Sequence, residues 1–188
     1  MCHESCIVFG RQNIKKEEVK GKQVLEVGSY NVNGSLRSYI ESYKPSKYIG
    51  IDIIKGPGVD TVCKAQHLIE IFEKESFDIV ISTELLEHVS NIKEVISNIK
   101  NVCINGGLII ITTRSFGFKY HGYPYDFWRF EIDDMKKIFS DCEILVLEKD
   151  PQAPGVFIKV RKPENFKEND LSKIDLFSMA TGKKEVIT

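Results

Sequence analysis

Two apolar segments that each carry an acidic residue constrain the fold of this chain more than any other feature. The first is residues 24–28 (VLEVG) and the second is residues 48–52 (YIGID). Apolar strand, glycine turn, helix, apolar strand and acid, in that order, are typical of a nucleotide-type cofactor site on a parallel sheet. Gly28 lets the backbone turn sharply and come close to a ligand. Asp52, at the end of the second segment, can accept hydrogen bonds from the hydroxyls of a ribose.

Apolar segments continue to alternate with helical patterns along the chain. Strands are predicted at residues 24–27, 47–52, 59–62, 77–81, 108–113, 142–149 and 155–160, and helices at 34–43, 65–74, 91–102 and 131–139. This alternation predicts a doubly wound parallel sheet. Only residues 150–154 separate the last two strands, too few for a parallel crossover, so these strands should run in opposite directions. The predicted fold is a single-domain α/β Rossmann-like doubly wound sheet of seven strands, with the last strand antiparallel.

The predicted sheet divides the chain into three parts. Residues 1–21 are a polar N-terminal lead or lid segment, residues 22–162 the cofactor-binding domain, and residues 163–188 a charged tail with one short amphipathic turn or helix. No apolar run approaches the roughly 20 residues that cross a membrane. The N-terminus lacks the basic and apolar regions of a signal peptide, so the expected compartment is the cytoplasm and no membrane partner is expected.

Charge and cysteine content narrow the classes of function. The formal net charge of -1 argues against broad, nonspecific nucleic-acid binding. The five cysteines are odd in number and scattered, which favours reduced thiols over a disulfide framework. Cys2, His3 and Cys6 supply at most three metal ligands, fewer than the four of a structural zinc site, so no metal is expected there.

A nicotinamide enzyme would carry a Gly-x-Gly-x-x-Gly motif after the first strand, and only the first of those glycines, Gly28, is present. A different match lies in four stretches: residues 24–28 (VLEVG), 48–52 (YIGID), 77–89 (FDIVISTELLEHV) and 105–108 (NGGL). In this order and spacing, over roughly residues 22–161, the chain resembles class I S-adenosylmethionine-dependent methyltransferases, in particular the small type 11-like group.

The resemblance implies a cofactor, S-adenosyl-L-methionine, released as S-adenosyl-L-homocysteine, and the residues that hold it. Glu26 and Gly28 would shape the loop under the methionine end, and Asp52 would hold the ribose hydroxyls. The implied cofactor contacts are Glu26, Gly28, Ser29, Tyr30, Asp52, Lys64, Ala65, Ser82, Thr83 and Glu84. Two of them depart from the family pattern, because Tyr30 stands at a usual glycine position and Lys64 where an acid is common.

The acceptor side is expected in the aromatic segment 112–130, which holds the only tryptophan. In the functional interpretation this segment forms an acceptor pocket, with Arg114 or Arg129 binding an anion and His121 acting as a base. The catalytic candidates are therefore His121 and Arg129. In the alternative interpretation the segment is a hydrophobic cluster that closes one side of the sheet. The two interpretations are compatible.

A further part of the resemblance concerns a metal. Residues 84–88 read Glu-x-x-Glu-His, which is similar to the metal-binding set of small-RNA 3′-end 2′-O-methyltransferases and to the divalent-ion site of some quinone O-methyltransferases. The corresponding ligands are Glu84, Glu87, His88 and His121. Such a set could hold a divalent ion that polarises a hydroxyl acceptor. The sequence Leu-Glu-His-Val is nevertheless common in these methyltransferases without a metal. The predicted site therefore contains no metal, and these four residues are the ligands of the alternative.

The sequence therefore predicts an S-adenosylmethionine-dependent methyltransferase that acts on an oxygen or nitrogen of a small-molecule acceptor. Because the sulfonium methyl is already activated, transfer needs mainly in-line alignment, and a base only where the acceptor must lose a proton. Two alternatives stay open: a metal-assisted RNA-end or nucleotide methyltransferase, and a non-catalytic cofactor-binding scaffold, which the glycine-poor loop favours. The sequence indicates neither the identity of the acceptor nor the oligomeric state.

Overall fold

The computed structural model describes residues 3–122 and 125–187, and it contains two sheets. The strands are β1 (Gln23–Val27), β2 (Lys47–Asp52), β3 (Thr61–Val62), β4 (Phe77–Thr83), β5 (Cys103–Arg114), β6 (Trp128–Arg129), β7 (Glu143–Lys149), β8 (Gly155–Arg161), β9 (Asp175–Ser178) and β10 (Lys184–Val186). Seven of them form the larger sheet in the order β3-β2-β1-β4-β5-β8-β7, and β10-β9-β6 form the smaller one.

The helices connect the strands of the larger sheet and extend the chain at its N-terminus. They are α1 (Glu4–Asn13), α2 (Lys16–Val19), α3 (Arg37–Glu41), α4 (Leu68–Phe72), α5 (Ile92–Val102) and α6 (Ile132–Ile138), with short 3₁₀ turns at Ala65–His67, Leu86–His88 and Leu171–Lys173. In α5 the buried side chains of Ile92, Val95, Ile96 and Ile99 recur at helical spacing, which packs one face of this helix on the sheet. None of the described helices has the length and apolar character needed to cross a membrane.

Strand direction in the larger sheet agrees with the sequence prediction. β1 pairs in parallel with β2 and β4, and β4 pairs in parallel with β5. β8 is antiparallel to both of its neighbours, β5 and β7. The short connection between β7 and β8 forces this reversal, since it cannot span a parallel crossover. The seven-stranded Rossmann-like sheet with its last strand antiparallel is confirmed.

The core lies on both faces of the sheet, which explains the continuous apolar strands. Successive residues of a strand point to opposite faces. Leu25 of β1 accordingly packs in the cluster that contains Ile96 of α5. Its neighbour Val24 packs in the second cluster, with Phe9 of α1 and Ile40 of α3.

Both ends of the chain carry more structure than the sequence pattern indicates. The polar lead forms α1 and α2, and the ring of Phe9 lies 5.1 Å from that of Phe157 in β8. The charged tail contains the predicted turn, with Leu171 buried, but it continues into β9 and β10. β9 pairs antiparallel with β6, inside the aromatic segment. The prediction of a turn or helix alone was incomplete, because it overlooked this pairing.

Candidate active site

The predicted cofactor residues meet at the carboxyl edge of β1, β2 and β4. Glu26 of β1 is in register with Gly50 of β2 and with Ile81 of β4. Within two residues of these positions, the chain leaves all three strands at the same edge. β2 and β4 lie on opposite sides of β1, which makes this edge the switch point where open α/β sheets bind ligands.

The loop after β1 turns on Gly28, which has a φ of 83°. A Cβ atom at this position would lie 3.1 Å from the Leu85 side chain, so glycine serves both the turn and the close approach. The next residue, Ser29, is buried beneath the loop. Its Oγ would lie 2.6 Å from a Cβ at Gly50, and it has no hydrogen-bond partner among the described residues. Only the backbone of Ser29 is therefore suited to contact a ligand above the loop.

Asp52 joins the loops that follow β1 and β2. Its Oδ2 accepts a hydrogen bond from the Tyr30 backbone N–H at 3.3 Å, and its Oδ1 accepts one from the Ile54 backbone N–H at 3.1 Å. The side chains of Tyr30, Ile53 and Ile54 are 40%, 59% and 54% exposed. Exposed apolar side chains beside an acid suit a ligand with an apolar ring next to a polyhydroxylated sugar.

Glu26 is buried under the same loop and fixes it. Its Oε2 accepts a hydrogen bond from Tyr48 Oη at 2.8 Å, and its Oε1 lies 3.5 Å from the Ser35 hydroxyl. Burial raises the pKa of Glu26 to about 7, although Tyr48 and Arg37 act in the opposite direction. The carboxyl therefore ties the loop after β1 to β2, through Ser35 and Tyr48.

The remaining predicted cofactor residues flank Asp52 and the end of β4. The backbone N–H of Cys63 donates to the Asp52 carbonyl at 2.9 Å, which places Lys64 and Ala65 close to the end of β2. Ala65 is buried and Lys64 is exposed. Ser82 is also buried, and its Oγ has no partner among the described residues. Thr83 completes the end of β4.

Glu84 follows β4 with a φ of 53°, and its carboxylate is bonded to Arg114 Nε. Arg114 also donates from Nη1 to Asp150 Oδ2 at 2.9 Å. Burial and the nearby Glu87 raise the pKa of Glu84. The predicted cofactor contact through this carboxylate thus competes with an ion pair inside the protein.

The two arginines predicted to bind an anion are both buried and bonded within the protein. Arg114 is fully buried and is held by Glu84 and Asp150. Arg129 is equally buried, and all five of its N–H groups are used by Asp126 and by the carbonyls of Phe118, Lys119 and Trp128. These bonds use every N–H group of Arg129 to hold the loop between β5 and β6, and its catalytic role stays a prediction.

His121 lies beside the 3₁₀ turn that follows β4, with its ring centre 4.8 Å from that of His88. Its Nδ1 is 3.1 Å from Asp126 Oδ2, and its Nε2 is 3.7 Å from Glu87 Oε1. Arg129 and the His121 backbone N–H lower the pKa of Asp126 against the opposing effect of burial. Burial also acts to raise the pKa of Glu87, but His121 and His88 outweigh it and the net pKa is lowered. Both carboxylates are therefore favoured in their charged form.

The sequence analysis did not identify every residue at this edge. Asp126, which orients His121, was missed, although it lies only five residues away within the aromatic segment. Ile53 and Ile54 were missed as well, and the signal available was their position directly after the acid that ends β2. Tyr123 and Pro124, which belong to the predicted acceptor segment, lie outside the described residues, as does Cys2 of the N-terminal Cys/His group.

Comparison with protein families decides the identity of this edge. A family model described as a methyltransferase domain matches residues 25–111, which run from β1 into β5 and include the glycine loop, Asp52 and the end of β4. Residues 25–111 are a type 11 methyltransferase domain of the class I S-adenosylmethionine-dependent kind. This methyltransferase therefore uses S-adenosyl-L-methionine as its cofactor, as the sequence predicted. No curated protein sequence matches it significantly.

Solved structures with similar folds share little sequence with this methyltransferase. The Burkholderia thailandensis 1,6-didemethyltoxoflavin-N1-methyltransferase, solved with 1,6-didemethyltoxoflavin and S-adenosylhomocysteine, is 12% identical with a TM-score of 0.66, over 85% of this chain and 79% of that one. A Mesorhizobium loti S-adenosylmethionine-dependent methyltransferase is 16% identical with a TM-score of 0.57, over 81% and 95%. Haemonchus contortus phosphoethanolamine N-methyltransferase 2, in complex with S-adenosyl-L-methionine, is 14% identical with a TM-score of 0.61, over 85% and 52%.

Replacing Asp52 with alanine is expected to weaken S-adenosylmethionine binding by about 1.5–3 kcal/mol, the range for hydrogen bonds to charged groups. Calorimetric titration with the cofactor measures the change, and Asp52→Asn should lie between wild type and Asp52→Ala because it keeps one acceptor oxygen. Asp133→Ala, an exposed acid paired with Lys136 on α6, is the matched control and should bind normally. Wild-type affinity in a folded Asp52→Ala variant would remove Asp52 from the cofactor site.

Proposed function

We propose that this methyltransferase transfers its methyl group to an oxygen or nitrogen of a small molecule. The observation that carries the proposal is the state of His121 at the acceptor side of the sheet edge. Asp126 holds its Nδ1, while its Nε2 is buried without a hydrogen-bond partner among the described residues. A histidine oriented in this way can act on the proton that a hydroxyl or amine acceptor must lose.

The residues present fit S-adenosylmethionine. A side chain at Gly28 would crowd Leu85, the hydroxyl of Ser82 lacks a partner among the described residues, and Ile53 and Ile54 are exposed beside Asp52. When bound, the cofactor supplies a methyl group already activated on its sulfonium sulfur. In this proposal Asp52 holds the ribose hydroxyls, Ile53 packs on the adenine, and the loop at Gly28 lies under the methionine end.

The protein then contributes mainly alignment and exclusion of water. Glu26 fixes the loop that positions the methyl donor, through Tyr48 and Ser35. On the acceptor side, the aromatic segment exposes Tyr120 and Tyr125, which are 62% and 57% accessible. Exposed aromatic rings beside a polar group favour a small acceptor with a flat or apolar part.

The choice of a small molecule over RNA is supported by charge and by the similar structures. A formal net charge of -1 supplies little general attraction for a polyanion. Two of the similar structures carry names of small-molecule N-methyltransferases, one for 1,6-didemethyltoxoflavin and one for phosphoethanolamine. The alternative of an RNA end or nucleotide as acceptor is less favoured on both grounds.

Transfer of a labelled methyl group tests the class of acceptor. The protein is incubated with methyl-labelled S-adenosylmethionine and, in parallel, with the low-molecular-mass fraction and the total RNA of one cell extract. We expect label in the small-molecule fraction only, and much less of it with the Asp52→Ala variant. Label in the RNA would replace the proposal with the RNA alternative. Cofactor binding without label in either fraction would favour the scaffold alternative.

A further inference from the structure

Three side chains that could ligate a metal converge beside the acceptor end of the sheet. Glu87 and His88 belong to the 3₁₀ turn after β4, and His121 belongs to the loop after β5. One donor atom from each lies within 4.8 Å of the other two. Glu87 Oε1 is 3.7 Å from His121 Nε2 and 3.9 Å from His88 Nε2. Both distances exceed a hydrogen bond, so the three groups face one another without bonding directly.

Each imidazole ring is oriented by a partner on its other nitrogen. His88 Nδ1 is 2.6 Å from the carbonyl oxygen of Tyr125, which can only accept a hydrogen bond. His121 Nδ1 is 3.1 Å from Asp126 Oδ2, also an acceptor. Both rings therefore carry a proton on Nδ1, and in the neutral form each keeps its lone pair on Nε2. This arrangement, with an acceptor behind each ring, is the one that metal-binding histidines adopt.

The carboxylate is oriented in the same way and is otherwise unsatisfied. Glu87 is fully buried, and its Oε2 accepts a hydrogen bond from Thr113 Oγ1 at 2.8 Å. Its Oε1, like His121 Nε2, has no hydrogen-bond partner among the described residues. A buried acceptor without a donor is costly, and a bound cation removes this cost. A cation between these three groups would accept a lone pair from each of them.

The distances suit a small divalent cation. Bonds of about 2.0–2.2 Å to nitrogen and oxygen in a tetrahedral arrangement put neighbouring ligand atoms roughly 3.4 Å apart. From Glu87 to each histidine the distances of 3.7 and 3.9 Å would have to close by only a few tenths of an ångström, and the two histidine nitrogens, which lie within 4.8 Å of each other, by at most about 1.4 Å. Two imidazoles and one carboxylate favour Zn²⁺ and similar transition metals, whereas Mg²⁺ and Ca²⁺ prefer oxygen ligands.

We propose that Glu87, His88 and His121 bind one divalent transition-metal cation of the Zn²⁺ type, with a fourth position open on the acceptor side. This replaces the expectation of a metal-free site. It also removes Glu84 from the four-ligand alternative, because the carboxylate of Glu84 is bonded to Arg114. Three protein ligands with an open position are typical of catalytic rather than structural zinc sites. The next step rests on the proposed function. The open position would take the oxygen of an acceptor hydroxyl, and the metal would lower the pKa of that hydroxyl. His121 would then act as a metal ligand and would not remove the proton directly.

Metal binding can be measured on the full chain without cofactor or acceptor. The protein is stripped with a chelator, desalted and titrated with Zn²⁺ against a chromophoric chelator. We expect one equivalent to bind to the wild type. Glu87→Gln and His121→Asn should each weaken Zn²⁺ binding by more than about 100-fold. A loss of about 100-fold is the most that is expected when only a residue behind a metal ligand is changed. Titration with Co²⁺ should give the visible absorption bands of a four-coordinate site, and these bands should be lost in both variants.

The control uses the other histidine–glutamate pair of the described chain that lies in contact, His67 with Glu70, at 3.0 Å on the surface. His67→Asn should bind Zn²⁺ as the wild type does, and Mg²⁺ should not compete. Should Glu87→Gln fail to fold by circular dichroism, His88→Asn, at the more exposed edge of the group, carries the same test. Absence of one-equivalent binding, or equal losses in His67→Asn and His121→Asn, would overturn the proposal. Because this titration contains no cofactor, a failure to bind Zn²⁺ would not affect the expected results of the Asp52→Ala titration or of the labelled-methyl transfer.

Discussion

Arg114→Met is expected to lower the free energy of unfolding by about 3–5 kcal/mol, the cost of removing one partner from a buried ion pair. The guanidinium is fully buried and bonds Glu84 and Asp150, which lie at the ends of two different strands. Its Nη2 also lies 3.7 Å from Cys6 Sγ of α1, and its guanidinium carbon lies 4.4 Å from the centre of the Phe118 ring. Methionine fills much of the same volume, so the loss reports charge and hydrogen bonds more than a cavity.

Urea denaturation of wild type and variant measures this loss. Arg161→Met is the matched control, since Arg161 pairs with Glu143 at 3.4 Å on an exposed surface. Exposed ion pairs contribute at most about 1 kcal/mol, so the control should unfold close to wild type. If Arg114→Met were as stable as Arg161→Met, the buried pair would be unnecessary for the fold. Arg114 would then be available again as the acceptor contact that the sequence suggested.

The larger sheet was predictable because its central strands are buried on both faces. The segments 77–81 of β4 and 108–113 of β5 are mostly apolar, and few other elements of a soluble chain have this pattern. The reversal of β8 followed from the length of one loop. By contrast, β6 has only two residues, Trp128 and Arg129, and its partner β9 lies about 50 residues later in the charged tail. No local pattern marks a pairing between such distant and short segments, so it could not be predicted.

The cofactor edge was predictable for a related reason. Glu26, Gly28 and Asp52 each stand at or beside the end of a predicted strand, and parallel strands bring such positions together. The contacts of the charged residues on the acceptor side were not predictable, because they depend on partners that are distant along the chain. Arg114 pairs with Glu84 and Asp150, which are 30 and 36 residues away along the chain. The sequence places an arginine in the right segment but cannot show that it is already neutralised.

His121 shows where sequence and structure each contribute. The sequence identified it as a base or a metal ligand, but not which of its two nitrogens is left without a hydrogen-bond partner. That distinction, between a bonded and an unbonded nitrogen, comes from Asp126, which holds Nδ1 and leaves the buried Nε2 toward Glu87. The same aspartate is bonded to Arg129. The buried arginine thus contributes to the site indirectly, by fixing the residue that orients His121.

Trp128→Ala is expected to destabilise the protein by about 3–5 kcal/mol, as large-to-small core changes do. Trp128 is buried in the main core cluster, and its Nε1–H donates to the Val89 carbonyl at 2.9 Å. Phe130, two residues later, is completely buried as well. Cofactor affinity should change little, because the cofactor residues lie on β1, β2 and β4. Thermal unfolding and calorimetric titration with S-adenosylmethionine, performed on the same preparation, measure both quantities.

Two matched variants separate packing from acceptor binding within the aromatic segment. Trp128→Phe keeps a ring in the core but loses the hydrogen bond to Val89, so its cost should be nearer 1–3 kcal/mol, the penalty for an unsatisfied buried carbonyl. Tyr120→Ala changes an exposed ring and should stay within about 0.5 kcal/mol of wild type. The part of the segment around β6 would then be core, while the exposed tyrosines are available to an acceptor. If Trp128→Ala instead left the melting temperature unchanged and weakened ligand binding, the tryptophan would belong to the acceptor site and this division of the segment would be wrong.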